Sequence, residues 1–162
     1  MDRRRFCLEL LGTGAALGGL TRVVGAAPPF AGQSAAKIQW NHSLKAAHKL
    51  AIAQDKPLLI VFGASWCTYC HKLERETLSD KRVVAVVERD FIPVHLDFDR
   101  DAKVAKILEV ERLPCTVILS PQADLLQKHE GYAEYKEYHR TLQSALEKRD
   151  EIQQVKNSES SR

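Results

Sequence analysis

An unbroken apolar run, Pro57-Leu58-Leu59-Ile60-Val61-Phe62, ends just ahead of Trp66-Cys67-Thr68-Tyr69-Cys70. A run with no polar alternation marks a strand buried on both faces, so it requires covering layers on either side. From about Cys67 to Leu78 the pattern turns helical, which puts the cysteine pair where a buried strand hands over to a helix. A helix N-terminus carries partial positive charge and unpaired N–H groups, which stabilise a thiolate at Cys67 and lower its pKa. Cys70 lies one turn further on the same helix face, close enough to close a disulfide with Cys67. In such a pair one thiol attacks a substrate disulfide and the second resolves the mixed disulfide. A bare pair with this spacing also serves as half of a zinc site. The strand before it, the helix after it and the lack of a second such pair weigh towards redox chemistry.

Helices and strands alternate through the rest of the chain. Ser43 is placed to cap a helix with Leu44, Ala47 and Ala51 on its apolar face. Asp80 is placed to cap a second helical stretch reaching Val87. Phe91 to Phe98 reads as a strand with Ile92, Val94, Leu96 and Phe98 on one side. Val104, Ile107 and Leu108 read as a helical stripe, and Thr116-Val117-Ile118-Leu119 as another buried strand. A Pro121-Gln122-Ala123-Asp124 turn and a return strand from Leu125 to His129 make a hairpin. Tyr138, Leu142, Ala145 and Leu146 recur at helical spacing. This order predicts an α/β fold: a central mixed, mostly parallel sheet with helices on both faces and a C-terminal β-hairpin plus helix.

With 162 residues, one domain is the default. Met1 to Ala26 has a basic stretch, Arg3-Arg4-Arg5, a short Leu, Gly and Ala run, and small residues at Val24-Gly25-Ala26. That is secretory signal architecture, and Arg3-Arg4-Arg5-Phe6 resembles the twin-arginine export motif. An uncleaved membrane anchor is the other reading of this segment, although its apolar run is short for a span. The expected division is a signal (1–26), a flexible leader (27–36), the folded domain (37–150) and a polar tail (151–162), with export to the periplasm. Without residues 1–26 the chain carries 20 basic and 19 acidic residues, so it offers no electrostatic footprint for nucleic acid. Three cysteines remain, Cys67, Cys70 and Cys115. An odd count in an exported chain leaves at least one thiol free, reactive or ligated.

The chain resembles the thioredoxin-like superfamily over roughly residues 38–149. The resemblance is carried by Trp66-Cys67-x-x-Cys70 at the strand-to-helix junction, Leu113-Pro114-Cys115-Thr116 entering the next buried strand, and Gly131 ahead of the last helix. The run Ala64-Ser65-Trp66-Cys67, then Cys70-His71-Lys72-Leu73-Glu74 and Thr77-Leu78-Ser79-Asp80, is similar to the exported branch that includes the C-terminal domain of DsbD-type thiol:disulfide interchange proteins. The resemblance implies that Pro114 is cis, that its loop packs against the cysteine pair and that it shapes the substrate groove. It also implies peptide carbonyls at Pro114 left available to an extended substrate strand.

Departures from the family pattern are informative. Six residues before the nucleophile thioredoxins carry a buried acid; Val61 stands there. Nineteen residues before the cis-proline they carry a lysine; His95 stands there, as a proton carrier near the site or as a satisfied strand histidine. Thr68-Tyr69 replaces Gly-Pro between the cysteines, and Cys115 follows the proline. Cys115 reads either as a small buried hydrophobe or as a third thiol facing the pair across the groove. The expected function is an exported thiol–disulfide oxidoreductase, more reductase than oxidase, with Cys67 attacking and Cys70 resolving. Its substrates are protein disulfides, its electron source a membrane electron-transfer protein, and the Cys67-Cys70 dithiol replaces any organic cofactor. Trp66, Thr68, Tyr69, Pro114, Cys115 and His95 shape the site. The alternative is a protein holding copper, zinc or an iron–sulfur cluster through Cys67, Cys70, Cys115 and His71.

Overall fold

The computed structural model describes residues 37–160. The segments read as signal (1–26) and leader (27–36), and residues 161 and 162, lie outside the described residues.

The first helix, α1 (Leu44–Gln54), starts where the Ser43 hydroxyl accepts the Ala46 N–H at 3.3 Å and stops at Asp55 in the left-handed region, φ 50°. Strand β1 (Leu58–Gly63) is buried at every position, as an unalternating apolar run requires. Two helices follow, α2 (Thr68–Glu76) and α3 (Lys81–Asp90); Asp80 caps α3 by accepting the Arg82 N–H at 2.9 Å. Strand β2 (Ile92–Asp97), the short α4 (Ala102–Ile107), the hairpin β3 (Cys115–Leu119) and β4 (Leu125–Glu130), and α5 (Tyr135–Ser160) complete the order.

The sheet runs β2-β1-β3-β4. β1 pairs in parallel with β2, with Val61 opposite His95, and antiparallel with β3, with Phe62 opposite Cys115. β3 and β4 pair antiparallel. The expected mixed sheet is present, but parallel pairing is confined to β1 and β2 rather than prevailing. The reason is the length of the crossover. α2 and α3 together return the chain to the starting edge of β1. α4, with six residues, rises only about 9 Å at 1.5 Å per residue, so β3 enters from the end at which β2 left.

Alternation along the strands sorts the core into two layers. Leu58, Ile60, Phe62, Val94, Leu96, Cys115 and Val117 pack with Ala47 and Ala51 of α1 and Ala105 of α4. Leu59, Val61 and Ile118 pack on the other face with Leu73 of α2, Val83 and Val87 of α3, and Tyr138 and Leu142 of α5. Each fully buried side chain of this size contributes roughly 1.5–3 kcal/mol of transfer free energy. The stripe expected on α4 is present in part: Val104 and Leu108 pack against the core beside the buried Ala105, while Ile107 is 78% exposed. A helix of one and a half turns presents too few positions to the sheet to bury a full stripe. Beyond residue 150, where the sequence reads as a polar tail, α5 continues as a helix to Ser160. Ile152 packs against the core there, Gln153 donates to Asp55 at 3.2 Å, and Lys156 pairs with Asp124 at 3.1 Å.

Candidate active site

β1 delivers the chain to the cysteine pair and α2 carries it away. The Cys67 N–H donates to the Ala64 carbonyl at 3.1 Å, closing a turn that makes Cys67 the capping residue of α2. Cys67 and Cys70 are joined in a disulfide, with Cα atoms 5.3 Å apart. The Cys70 N–H points at Cys67 Sγ at 3.1 Å. In the dithiol form the same N–H and the positive end of α2 favour charge on the Cys67 sulfur. Cys67 is 7% exposed and Cys70 1%, so an incoming sulfur meets Cys67 first.

Trp66 (64% exposed) and Tyr69 (61%) stand on either side of Cys67, with Thr68 exposed between the cysteines. The indole is held in place: Trp66 Nε1 donates to Asp99 Oδ2 at 2.8 Å, from the loop after β2. Opposite, Leu113 and Phe98 pack against Ala64, Cys67 and Cys70. The Leu113–Pro114 peptide is cis and Pro114 is buried. The Pro114 carbonyl accepts the Gly131 N–H at 2.7 Å, and Gly131 holds φ +93°, a conformation suited to glycine. That bond takes one of the carbonyl's two acceptor positions and ties the start of β3 to the turn after β4.

Cys115 is wholly buried and its thiol is free. It opens β3 pointing into the layer of Phe62, Val117 and Ala51, the sheet face away from α2. Two-residue alternation dictates this: Thr116, its neighbour, takes the α2 side, 3.3 Å from the Tyr138 hydroxyl. Burial, with the Glu130 charge adding, pushes the Cys115 thiol up to about 11. It stands as a core residue, not across a groove from the pair. Among the described residues no group of three or more His, Cys, Asp or Glu side chains is arranged to hold a metal. Cys67, Cys70, Cys115 and His71 do not assemble into one, because Cys115 faces the opposite layer and the other two sulfurs are bonded to each other. His71 is exposed, with Nε2 3.0 Å from the Ser65 carbonyl.

His95 does come to the site. On β2 it takes the α2 side, with Nε2 3.0 Å from Glu74 Oε1. Trp40 packs edge-on against its ring at 5.7 Å, and the His42 ring lies 6.4 Å away. The segment before α1 brings these two in, because Asn41 bridges to the open edge of β2 at Val94. Together with His71, Glu74, Arg75 and Lys37 they line a groove of about 710 Å³.

Residues 44–146 match the thioredoxin-like domain family. The chain belongs to that family. Its fold is also that of solved thioredoxin-like structures. A thioredoxin from Thermus thermophilus aligns with a TM-score of 0.63 at 22% identity, covering 68% of this chain and 88% of its own. A DsbH oxidoreductase aligns at 0.61 and 20% identity, covering 83% of this chain and 95% of its own. A disulphide isomerase from Xylella fastidiosa Temecula1 aligns at 0.51 and 22%, covering 72% and 98%. No curated protein sequence matches the chain. A thioredoxin-like domain with an intact, bonded cysteine pair at the head of α2 is a thiol–disulfide oxidoreductase, acting on protein disulfides.

Sequence reasoning left three residues of this site unassigned. Glu74 was legible in principle, since it lies four positions after Cys70 on one helix. Asp99 and His42 had no local signal; each reaches the site from another part of the chain.

Proposed function

We propose that this thioredoxin-like oxidoreductase is exported and reduces protein disulfides, drawing its electrons from a membrane electron-transfer protein. The observation that carries the chemistry is the Cys67–Cys70 pair capping α2, with the outer sulfur facing a helix N–H. In the dithiol form the Cys67 thiolate attacks one sulfur of a substrate disulfide. The substrate S–S bond breaks, one substrate thiolate leaves, and a mixed disulfide to Cys67 forms. Cys70 then gives up its proton and attacks Cys67 Sγ, the second substrate thiolate departs, and the Cys67–Cys70 disulfide remains. Two electrons have moved from dithiol to substrate, so the reaction calls for no organic cofactor. Trp66, Tyr69 and Leu113 supply the apolar rim against which an unfolded or extended substrate segment docks.

Export is supported by Arg3-Arg4-Arg5-Phe6 and the short apolar run behind it. The reducing direction is supported by the similarity of the stretch around Cys67 to the DsbD-type branch. Fractionation joined to trapping of the cysteines in living cells tests both. Changing Arg3, Arg4 and Arg5 to Lys should abolish export. In the exported protein Cys67 and Cys70 should be trapped chiefly as thiols, and chiefly as the disulfide once membrane electron transfer is removed. Protein beginning at Met1 in the cytoplasm would contradict export. An exported pair held as the disulfide in normal cells would make the protein an oxidant.

A further inference from the structure

The rim around Cys67 has two walls on different parts of the chain. Tyr69 rides on α2, and Leu113 packs against Cys67 and Cys70 from the loop before β3. The disulfide lies within one wall and does not join it to the other. A line of contacts away from the sulfurs does. The Pro114 carbonyl accepts the Gly131 N–H at 2.7 Å, and the two residues after Gly131 return to α2. The Tyr132 hydroxyl donates to Glu76 Oε2 at 3.0 Å. Lys72 Nζ lies 4.2 Å over the Tyr132 ring and 3.9 Å from the same carboxylate oxygen. The Thr77 hydroxyl donates to the Ala133 carbonyl at 2.7 Å. Lys72, Glu76 and Thr77 all follow the cysteines on the chain of α2 and its cap, so the contacts close a ring. It runs from α2 through Tyr132, Gly131, Pro114 and Leu113 back to the sulfur pair.

The two fastenings of this ring differ. Thr77 and Ala133 are both wholly buried, and their bond belongs to the core. The Tyr132–Glu76 bond lies at the surface, with the Glu76 side chain 42% exposed. Between it and Pro114 stands Gly131 at φ +93°, where glycine turns freely. A Cβ built on Gly131 would meet nothing within 4 Å, so no neighbour props the turn on that side. We propose that Tyr132 is a positioning residue for the substrate rim: by latching the Gly131 turn to Glu76 it sets the spacing of the two walls and favours disulfides carried on a polypeptide over small ones. The proposal rests on the dithiol chemistry and the rim described above, and assigns what holds that rim.

A small disulfide needs only to reach the Cys67 sulfur. A polypeptide rests on both walls at once while its disulfide is attacked, so it alone feels their spacing. The latch acts on docking, not on sulfur chemistry, because Tyr132 and Glu76 touch neither cysteine. It is closed at neutral pH. The hydrogen bond from Tyr132, ahead of the Arg75 and Lys72 charges, holds the Glu76 carboxyl below its ordinary value and so ionised. Burial, with the bond to Glu76 adding, pushes the Tyr132 hydroxyl up and keeps it a donor.

Two probes separate docking from chemistry: insulin, a polypeptide disulfide, and hydroxyethyl disulfide, which has no peptide chain. The reduced full chain is mixed with an excess of either, quenched in acid and alkylated, and the Cys67–Cys70 disulfide formed is followed as the probe concentration rises. Tyr132→Phe keeps the ring under Lys72 and loses only the hydroxyl. It should raise the half-saturating insulin concentration about fivefold, the factor one net hydrogen bond supplies. The limiting rate with insulin and the rate with hydroxyethyl disulfide should stay at their wild-type values. Glu76→Ala should match it, and the double variant should be no worse than either single one, since both remove the same bond. Glu76→Gln retains an acceptor and should recover most of the loss. Arg75→Gln removes the 3.1 Å contact to Glu76 Oε1 but leaves Oε2 to Tyr132, and should behave as wild type. A wild-type half-saturating insulin concentration in Tyr132→Phe overturns the proposal. An equal loss with both probes, or an equal shift in Arg75→Gln, overturns it too, by placing the effect in the sulfur chemistry or in surface charge. If Tyr132→Phe disturbs the fold, Glu76→Ala reads the same latch from the surface, and the same results decide. A wild type that reduces neither probe overturns the dithiol reading instead.

Discussion

Cys67 and Cys115 carry the same side chain into opposite surroundings. Cys67 caps a helix with a backbone N–H aimed at its sulfur, whereas Cys115 is pressed among Phe62, Val117 and Ala51. On alkylation of the reduced protein, Cys67 should react well below the ordinary thiol value of about 8.5, and first labelling at Cys70 would reverse the assignment. Cys115, its thiol pushed up to about 11 by burial, should stay unmodified in the folded protein at pH 8 and react at once in denaturant. Cys115→Ala should leave redox activity intact and lower stability by about 1 kcal/mol, the scale of one or two lost buried contacts, as read by denaturant unfolding. The attacking role of Cys67 was legible because helix ends act over short sequence distances. The place of Cys115 was not. Which face a strand residue takes depends on register, and a shift of one position would have turned it towards α2.

Capping residues and strand cores, the parts written in local sequence, are where the elements matched expectation. Ser43 and Asp80 cap α1 and α3 as read, and Pro57 to Phe62 gave a wholly buried β1. Asp80 does two jobs: it accepts the Arg82 N–H at 2.9 Å and pairs with the Arg82 guanidinium at 2.7 Å. Replacing it with Ala should destabilise the protein by about 1 kcal/mol, measured by chemical unfolding, while Asn should restore most of the cap. The hydrogen bonds from Arg82 hold the Asp80 carboxyl down from 3.8 to about 2. Its contribution is therefore complete above the ordinary carboxylate pKa and is lost as pH falls through about 2. Acid unfolding of Asp80→Asn should be correspondingly less steep in that window. The turns of α5 beyond residue 150 escaped the sequence reading because they are held by distant partners, Asp55 and Asp124, and not by an apolar stripe. The parallel share of the sheet was overestimated for a related reason: strand direction follows from crossover length, which α4 shortens.

At the scale of the whole molecule, the fold sets three separate segments around one sulfur pair. β1 and α2 bring the cysteines, the Leu113–Pro114 loop closes one side, and β2 with the segment before α1 brings His95, Trp40 and His42 to the other. The family motifs sit on the first two segments, so sequence reached them. The third is assembled by strand pairing alone, between Asn41 and β2, and sequence reached His95 there but not His42. The central chemistry is that of the Cys67–Cys70 dithiol. Mixing the reduced protein with an equimolar protein disulfide, quenching in acid and mapping the peptides by mass would test it most directly. The predicted result is one substrate disulfide opened for each Cys67–Cys70 disulfide formed, a Cys67-linked mixed disulfide accumulating in Cys70→Ser, and no exchange in Cys67→Ser. Exchange that persists in Cys67→Ser, or substrate reduction without a Cys67–Cys70 disulfide, would contradict it.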